Sequence, residues 1–241
     1  MIYAVVACMA LLGGTIQTVT GFGGGVVMML ALPYFLGMVR APALSSIICM
    51  GLCYTLAWKF RKYVDFKSLW VPAVAYVTCS VGIISVVDRI DMSVMSLAFG
   101  FFLIVLSIYS LVFSKRMRLN ANWYTGLICG AVSGFLSGLF GIGGPLMAVY
   151  FAAATDSKET YIGSTQVLFS LGGTINFLIR IFRGIYTVDL IPLTLLGVLA
   201  ISLGKLVGLR IVAKLDPETM RKLIYGFVGV SGVITVCKYF L

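Results

Sequence analysis

The stretch Gly21-Phe22-Gly23-Gly24-Gly25 decides the fold of this chain, and it interrupts an apolar run from Ile2 to Leu36. A second tract, Gly141-Ile142-Gly143-Gly144-Pro145, interrupts the apolar run from Trp123 to Ala154 in the other half of the chain. Clustered glycines break a helix because each one costs roughly 1 kcal/mol relative to alanine and leaves the backbone unrestrained. The corresponding glycines of the two halves are Gly14 and Gly134, Gly21 and Gly141, Gly23 and Gly143, and Gly24 and Gly144. We therefore expect a duplicated chain with one broken helix in each half.

The composition is that of an integral membrane protein. Hydrophobic residues make up 61% of the chain and charged residues only 11%, whereas soluble domains carry roughly 25% charged residues. The first charged side chain is Arg40, so we expect the leading apolar run to belong to the mature protein and not to a cleaved signal peptide. We expect an all-α, polytopic fold with no soluble domain at either end.

Charge balance and residue types argue against several function classes. The net charge of +10 would suit nucleic-acid binding in a soluble protein, but here the cations fall mostly in short loops, where they set membrane orientation. The six cysteines lack CxxC spacing and the chain has no histidine, so we expect packing thiols, no metal site and no cofactor. Without histidine or central carboxylates, little remains for general acid or base catalysis, and we expect no enzyme activity.

Two topologies compete because two of the apolar segments are too short to cross a bilayer, which takes roughly 20 helical residues. The segments are 2–19, 24–37, 43–59, 68–87, 93–113, 123–139, 143–154, 160–180, 188–211 and 219–240. If each glycine tract kinks one crossing helix, each half has four crossings and both halves enter the membrane in the same direction. If each tract is the tip of a re-entrant hairpin, each half is one hairpin plus three crossings, and the second half is inverted.

Loop charge favours the hairpin topology, since Lys and Arg collect on the cytoplasmic side. With Lys205 left out because it lies within a helix, the kinked topology divides the cations 10 to 7 and the hairpin topology divides them 12 to 5. The larger hairpin group is Lys59, Arg61, Lys62, Lys67, Lys115, Arg116, Arg118, Lys158, Arg210, Lys214, Arg221 and Lys222, and the smaller is Arg40, Arg89, Arg180, Arg183 and Lys238. We expect two inverted repeats, 1–114 and 123–241, joined by a linker at 115–122, with both termini outside the cytoplasm.

The glycine breaks are the expected binding site. A membrane tolerates the unpaired backbone groups of a broken helix only where they line a buried or watery cavity. Opposed hairpins would bring both tips near the middle of the bilayer, and the segments 24–37 and 143–154 would point their helix N-termini inward as an anion site. Nearby Ser, Thr, Gln and Asn side chains can donate hydrogen bonds to oxyanion oxygens. The predicted binding residues are Gln17, Thr20, Gly21, Gly23, Gly24, Gly25, Ser46, Ser137, Gly141, Gly143, Gly144, Gln166 and Asn176.

Charge is sparse inside the predicted membrane segments. Lys205 lies in the segment 188–211, and we expect it to extend to the cytoplasmic surface, with contact to a cavity anion as the alternative. Asp and Glu occur only at segment ends or in loops, so no proton relay or sodium site is evident. An inside-negative potential favours outward movement of an anion by roughly 2.3 kcal/mol per 100 mV, so export needs no coupling ion.

The paired glycine tracts resemble those of the sulfite exporter TauE/SafE family of bacterial inner-membrane permeases, and the resemblance spans the whole chain. Its most specific part runs from Ser137 to Pro145, and the later stretch from Asn176 to Gly184 is also similar. The resemblance implies transport of sulfite, sulfonates, sulfoacetate or related sulfur oxyanions, with the glycine tracts and their polar neighbours at the site.

The residues and the resemblance together predict a membrane transporter that exports a small sulfur-containing oxyanion across the bacterial inner membrane, by secondary or potential-driven transport. The alternatives are an anion channel, an importer of the same solutes, and a structural or assembly subunit. The expected partners are the anionic solute and the lipid bilayer, a homodimer is left open, and nucleic acid is not expected.

Overall fold

The computed structural model describes residues 1–109 and 121–212, and from the last segment residues 226, 228–230, 232–233 and 235–237. The α-helices of the two long ranges are α1 (Ile2–Thr20), α2 (Gly24–Met29), α3 (Pro33–Phe60), α4 (Phe66–Val86), α5 (Met92–Ile108), α6 (Trp123–Phe140), α7 (Gly144–Ala154), α8 (Lys158–Phe182) and α9 (Ile191–Val212). Short 3-10 turns lie at Arg61–Tyr63, Val87–Arg89 and Val188–Leu190. The described residues are therefore all-helical, and most of the expected linker, 115–120, lies outside them.

Both glycine tracts end one helix and reverse the chain. α1 ends at Gly21 (φ 81°) and α6 ends at Gly141 (φ 69°), both in the left-handed conformation that glycine adopts without strain. In a straight helix, residues eleven positions apart would be separated by roughly 16 Å. Instead, a Cβ added to Gly13 would lie 3.0 Å from the carbonyl oxygen of Gly24. α2 thus runs back along α1, and α7 also packs against α6.

The segment expected at 24–37 is not one helix. α2 stops at Met29, and α3 begins at Pro33 after a turn. Proline is favoured at the first helical position and cannot continue a helix from the residues before it, so Pro33 marks this boundary in the sequence. Inside α3, Gly37 adopts a positive φ of 73°. As a result α2 contains only 6 residues, whereas its counterpart α7 contains 11.

The helix pairing stays the same when the two halves are exchanged. α1 packs against α9, and its counterpart α6 packs against α4. α3 and α8 pack against each other, and each also contacts the fourth helix of the other half, α3 with α9 and α8 with α4. A two-fold relation between two similar halves would produce this pairing.

A stripe of glycines lets α6 lie directly on the backbone of α4. The stripe consists of Gly130, Gly134 and Gly138, whereas Gly126, one turn earlier, faces the Tyr150 side chain of α7. Small residues at this spacing allow membrane helices to approach closely. A Cβ on Gly130 would lie 2.5 Å from the carbonyl oxygen of Pro72, and a Cβ on Gly134 would collide with that of Tyr76. Because the contacts advance by four residues on both helices, α4 and α6 run in the same direction.

The long helices fit a membrane environment. Within the described residues, five helical segments are long and apolar enough to cross a bilayer: Pro33–Tyr63, Phe66–Arg89, Trp123–Phe140, Lys158–Phe182 and Val188–Val207. Shorter apolar helices include Ile2–Thr18, Met92–Ile108 and Gly144–Ala154. Large apolar side chains such as Leu195 and Leu199 point outward and are exposed, as a lipid-facing surface requires. The chain is a multi-pass membrane protein, as its composition predicts.

Candidate functional site

The two glycine tracts touch each other inside the protein. A Cβ on Gly25 would lie 3.1 Å from the carbonyl oxygen of Gly141, and a Cβ on Gly144 would lie 2.8 Å from the Cβ atom of Phe22. Beside this contact is a cavity of about 80 Å³. One water requires roughly 10–15 Å³, and sites for drug-sized ligands span roughly 300–1,000 Å³. The cavity therefore suits a solute of a few heavy atoms.

Most of the predicted binding residues line this cavity. They are Gln17, Gly23, Gly25, Ser46, Ser137, Gly141, Gly143, Gly144 and Asn176. The predicted residues Gly21, Gly24 and Gln166 lie behind the wall, where Gly24 packs against Gln17. The side chain of Thr20 lies outside the described part of the structure. The fold thus brings the two tracts and their polar neighbours to one place, and solute binding by them stays a prediction.

Each glycine tract lies against a polar residue of the other half, and the first tract is hydrogen-bonded to it. Gln166 Nε2 on α8 donates a hydrogen bond of 2.8 Å to the carbonyl oxygen of Gly21. At the matching position on α3, Ser46 lies against the second tract, where a Cβ on Gly141 would be 2.9 Å from Ser46 Oγ. Gln166 therefore contacts the first tract without lining the cavity. Ser46 contacts the second tract and also lines the cavity.

A chain of buried hydrogen bonds orients Ser137. Tyr76 Oη donates to Ser137 Oγ at 2.6 Å, and Asn176 Nδ2 donates to the same oxygen at 3.2 Å. Ser80 Oγ in turn donates to Asn176 Oδ1 at 2.7 Å, which fixes the orientation of that amide. A hydroxyl has two acceptor lone pairs and one hydrogen. Because both lone pairs of Ser137 are occupied, its hydrogen is available to a solute in the cavity.

The start of α7 opens onto the cavity. Gly143, Gly144 and Pro145 line it, and among the described side chains none caps this helix N-terminus. The first backbone N–H groups of α7 therefore carry an uncompensated partial positive charge. α2 begins at the same cavity, but with 6 residues against 11 it aligns fewer peptide dipoles. The two helix N-termini thus differ in length, and anion binding at both of them stays a prediction.

The sequence interpretation placed Arg180 among the loop cations, and this is wrong. α8 continues to Phe182, and the Arg180 side chain is only 1% exposed. Its Nη2 donates to the carbonyl oxygen of Gly138 at 2.8 Å. Loop position was inferred from the end of an apolar segment, and only the packing of α3 and α6 over α8 reveals that the residue is buried.

Two further residue types at the cavity were not singled out as site residues. Cys49 and Cys53, four residues apart on α3, both line the cavity, and Gln17 Nε2 donates to Cys53 Sγ at 3.3 Å. Tyr76 lines it from α4. The i, i+4 spacing of the cysteines put them on one helix face, but nothing in the local sequence indicated that this face meets the glycine tracts.

Lys205 joins two helices and does not line the cavity. Its Nζ donates to Thr55 Oγ1 on α3 at 3.3 Å. Contact with a cavity anion, which was the alternative expectation for this residue, is therefore not seen in the described structure. Extension of Lys205 to the cytoplasmic surface stays a prediction.

Comparison with known proteins gives a family match and two relatives. A family model described as Sulfite exporter TauE/SafE matches residues 6–235. The chain is 32% identical over 158 residues to the probable membrane transporter protein MJ0441 of Methanocaldococcus jannaschii, a match that covers 61% of this chain and only 59% of that relative. It is 26% identical over an alignment of 265 residues to the probable membrane transporter protein YunE of Bacillus subtilis, which covers 91% of this chain and 92% of that relative. No solved structure gives a significant match.

Proposed function

This chain belongs to the sulfite exporter TauE/SafE family of membrane transporters, and we propose that it carries a small sulfur-containing oxyanion outward across the plasma membrane. The observation that supports this most directly is the cavity between the two glycine tracts. The polar part of its wall offers hydrogen-bond donors beside apolar residues such as Phe22 and Phe169, and none of the described Asp and Glu residues lines it. A site of this kind favours a small anion over a cation or an apolar solute.

Three groups supply the donors of the proposed site. The Ser137 hydroxyl keeps its hydrogen because Tyr76 and Asn176 occupy its acceptor positions. Asn176 Nδ2 carries a second hydrogen that the bond to Ser137 does not use. The backbone N–H groups at the start of α7 add a partial positive charge. Together they can bind several oxygens of one oxyanion without a countercharge in direct contact.

The described lining of the cavity contains no carboxylate, and this bears on the driving force for transport. Among the described residues, acidic side chains lie at helix ends or in loops, as with Asp65 before α4 and Asp91 before α5. We propose that the membrane potential drives export, since an inside-negative potential favours outward movement of an anion by roughly 2.3 kcal/mol per 100 mV. Import of the same solutes and an anion channel are the alternatives.

We also propose the re-entrant hairpin topology with inverted halves and both termini outside the cytoplasm. The start of α8 lies beside the loop after α3, where the backbone N–H of Asp65 donates to Ser164 Oγ at 3.0 Å. The end of α8 lies beside the end of α4, where Arg183 pairs with Asp88 at 2.8 Å. These contacts support the hairpin topology, which puts Lys158 on the face of Lys62 and Arg183 on the opposite face.

Cysteine labelling in intact cells tests this topology. A membrane-impermeant maleimide is applied to variants that carry a single cysteine in place of Lys62, Lys158 or Arg183. We expect Arg183→Cys to label from outside, and Lys62→Cys and Lys158→Cys to label only after permeabilisation. Labelling of Lys158→Cys from outside would instead support the kinked-helix topology.

Flux measurements in proteoliposomes test the function. Sulfite, sulfate, thiosulfate, taurine and sulfoacetate are compared under an imposed potential, and we expect anion flux to reverse when the potential is reversed. Flux no greater than in protein-free liposomes for every solute would refute the proposal. Unitary currents in planar bilayers would support the channel, and accumulation driven only by an inward proton gradient would support the importer.

A matched pair of glycine variants ties the flux to the cavity. Gly143→Leu and Gly24→Leu should abolish transport with membrane insertion retained, because a Cβ on Gly143 would already lie 2.6 Å from the Tyr76 ring and one on Gly24 would collide with Gln17. Gly82→Leu is the control, since nothing lies within 4 Å of a Cβ at that position. Full flux in both tract variants would show that transport does not depend on the glycine tracts.

A further inference from the structure

Arg180 is a buried cation without an acidic partner in the described structure. Its side chain is 1% exposed, and its hydrogen bonds go to backbone carbonyl oxygens: Gly138 at 2.8 Å, and Ser137 and Val39 at 3.4 Å. Arg180 Nε has no partner among the described residues. Asp88, the acidic residue at the end of α4, is paired with Arg183 instead. The direct partners of the Arg180 guanidinium in the described structure are therefore carbonyl dipoles, and Asp88 acts on its charge only at longer range.

The carbonyl partners of Arg180 belong mainly to one helix end. Ser137 and Gly138 lie in the last turn of α6, which ends at Gly141. Unpaired carbonyl groups give a helix C-terminus a partial negative charge, and a cation stabilises that end. An unpaired buried charge is costly in a membrane, and such residues face functional sites far more often than lipid.

The cavity lies between two helix ends of opposite sign. The C-terminus of α6 reaches it through Ser137 and Gly141, and the N-terminus of α7 reaches it through Gly143 and Gly144. For an anion, the carbonyl end of α6 is repulsive and the N–H end of α7 is attractive. Unless the carbonyl end is compensated, the two poles largely cancel.

We propose that Arg180 makes this cavity selective for anions. It neutralises the carbonyl end of α6, so that the N-terminus of α7 and the donor groups of Ser137 and Asn176 dominate the potential in the cavity. The inference deepens the proposed function, on which it rests, by naming a positioning residue that sets the charge of the solute. It acts through the end of α6 and not by touching the solute.

Two further observations fit this role. The carbonyl oxygen of Arg180 accepts hydrogen bonds from the backbone N–H groups of Ile185 at 2.9 Å and Tyr186 at 3.1 Å, around a reversal at Gly184. This reversal fixes the position of Arg180 at the end of α8. At the matching end of α1, the carbonyl oxygen of Gly21 is met by the neutral amide of Gln166. Among the described residues, only the second tract is compensated by a cation, so the anion should bind closer to α7 than to α2.

The reaction rates of a cavity thiol report the potential directly. Cys49 lines the cavity, and a protein that keeps it as the single cysteine can be reacted with an anionic sulfonatoethyl and a cationic trimethylammonioethyl methanethiosulfonate. The rate with the anionic reagent is divided by the rate with the cationic reagent, and this ratio is divided by the same ratio for a free thiol in solution. The intrinsic reactivity of the thiol then drops out. We expect a ratio above one with Arg180 present. Arg180→Gln should lower it on the order of a hundredfold, because at an effective dielectric constant near 20 a unit charge roughly 10 Å away changes each of the two rates about tenfold and in opposite directions.

Controls separate charge from structure. Arg180→Lys keeps the charge and should keep the ratio. A protein with a single cysteine in place of Lys62, an exposed residue in the turn after α3, should show the same ratio with and without Arg180. Equal Cys49 ratios in the Arg180 and Arg180→Gln proteins would overturn the proposal. If Arg180→Gln fails to insert, a ratio of one or below in the Arg180 protein overturns it without that variant. The assay needs no transport, so absent flux with an elevated ratio would refute the proposed function and leave this inference standing.

Discussion

At the scale of single residues, the cavity is organised by the direction of its hydrogen bonds. Ser80 donates to Asn176, and both Asn176 and Tyr76 donate to Ser137. Each of these side chains is less than 9% exposed, and Tyr76, Ser137 and Asn176 line the cavity. As a result, Ser137 Oγ accepts two hydrogen bonds, and within the described part of the chain its own hydrogen is given no acceptor. Buried polar networks of this kind specify one arrangement when every member is satisfied.

Tyr76→Phe tests that orientation. The variant keeps the ring that packs against Gly143 and removes the donor to Ser137, which frees the serine hydroxyl to rotate. Loss of one such bond costs about 0.5–1.5 kcal/mol, so we expect solute affinity to fall by roughly threefold to tenfold with little change in folding. Competition binding or the half-saturating concentration for flux measures this.

Tyr150→Phe is the matched control for the tyrosine variant. The Tyr150 hydroxyl donates to the carbonyl oxygen of Ser68 at 3.3 Å, and Tyr150 does not line the cavity. Its loss should leave affinity unchanged. An equal loss of affinity in both variants would mean that the Tyr76 hydroxyl acts only through packing.

At the scale of helices, the glycines have two separate roles. Gly21 and Gly141 end α1 and α6 by adopting positive φ angles. Glycine adopts such angles without strain, whereas a residue with a Cβ does not. The stripe on α6, represented by Gly130 and Gly134, instead removes side chains where the backbone of α4 passes. The first role creates the cavity, and the second fixes α6 and Ser137 relative to Tyr76.

Gly134→Ala tests the second role. A Cβ at this position collides with the backbone oxygen of Tyr76, and a backbone atom cannot move aside as a flexible side chain can. Overpacking of this kind costs about 1–3 kcal/mol, so we expect the melting temperature in detergent to fall by several degrees. Gly82→Ala, with open space around its Cβ, should match the parent protein or exceed it, because alanine is the better helix former. Equal melting temperatures for Gly134→Ala and Gly82→Ala would show that α6 and α4 are not in close contact.

At the scale of the whole molecule, the two halves meet differently on the two sides. On one side, ion pairs join them: Arg40 with Asp189, and Asp88 with Arg183. On the other side, the start of α8 contacts the loop after α3 through a neutral hydrogen bond between Asp65 N–H and Ser164. Transport by alternating access requires one side to open while the other stays closed, and the ion pairs are exposed enough to separate in water.

Removing both ion pairs should favour opening on their side. Exposed pairs contribute about 0.2–1 kcal/mol each, so we expect Arg40→Gln with Arg183→Gln to raise the labelling rate of Cys49 from outside by severalfold. The measurement uses an impermeant maleimide and a protein with Cys49 as its only thiol. A variant in which one pair is exchanged, Asp88→Arg with Arg183→Asp, keeps an ion pair at that position and should label as slowly as the parent protein. Unchanged labelling in the double glutamine variant would argue against a gate at these pairs.

The sequence by itself determined the membrane class, the all-helical structure and the positions of both helix breaks. These follow from composition and from local backbone preference: an apolar run favours a helix, and clustered glycines end it wherever the chain then goes. Gln17, Ser137 and Asn176 were predicted as site residues because their side chains can donate hydrogen bonds to an oxyanion, and in the structure all three line the cavity. The Pro33 boundary was also readable, although the segment 24–37 was predicted as one helix.

Only the tertiary structure decided which distant residues complete the cavity and how charge is balanced beside it. Tyr76, Cys49 and Arg180 come from α4, α3 and α8, and their relation to the tracts depends on packing between segments far apart in the chain. Arg180 is the clearest case, because its partners Gly138 and Val39 lie 42 and 141 residues away. A residue at the end of an apolar segment is exposed or buried depending on which other helices pack over it. The local sequence does not specify those helices.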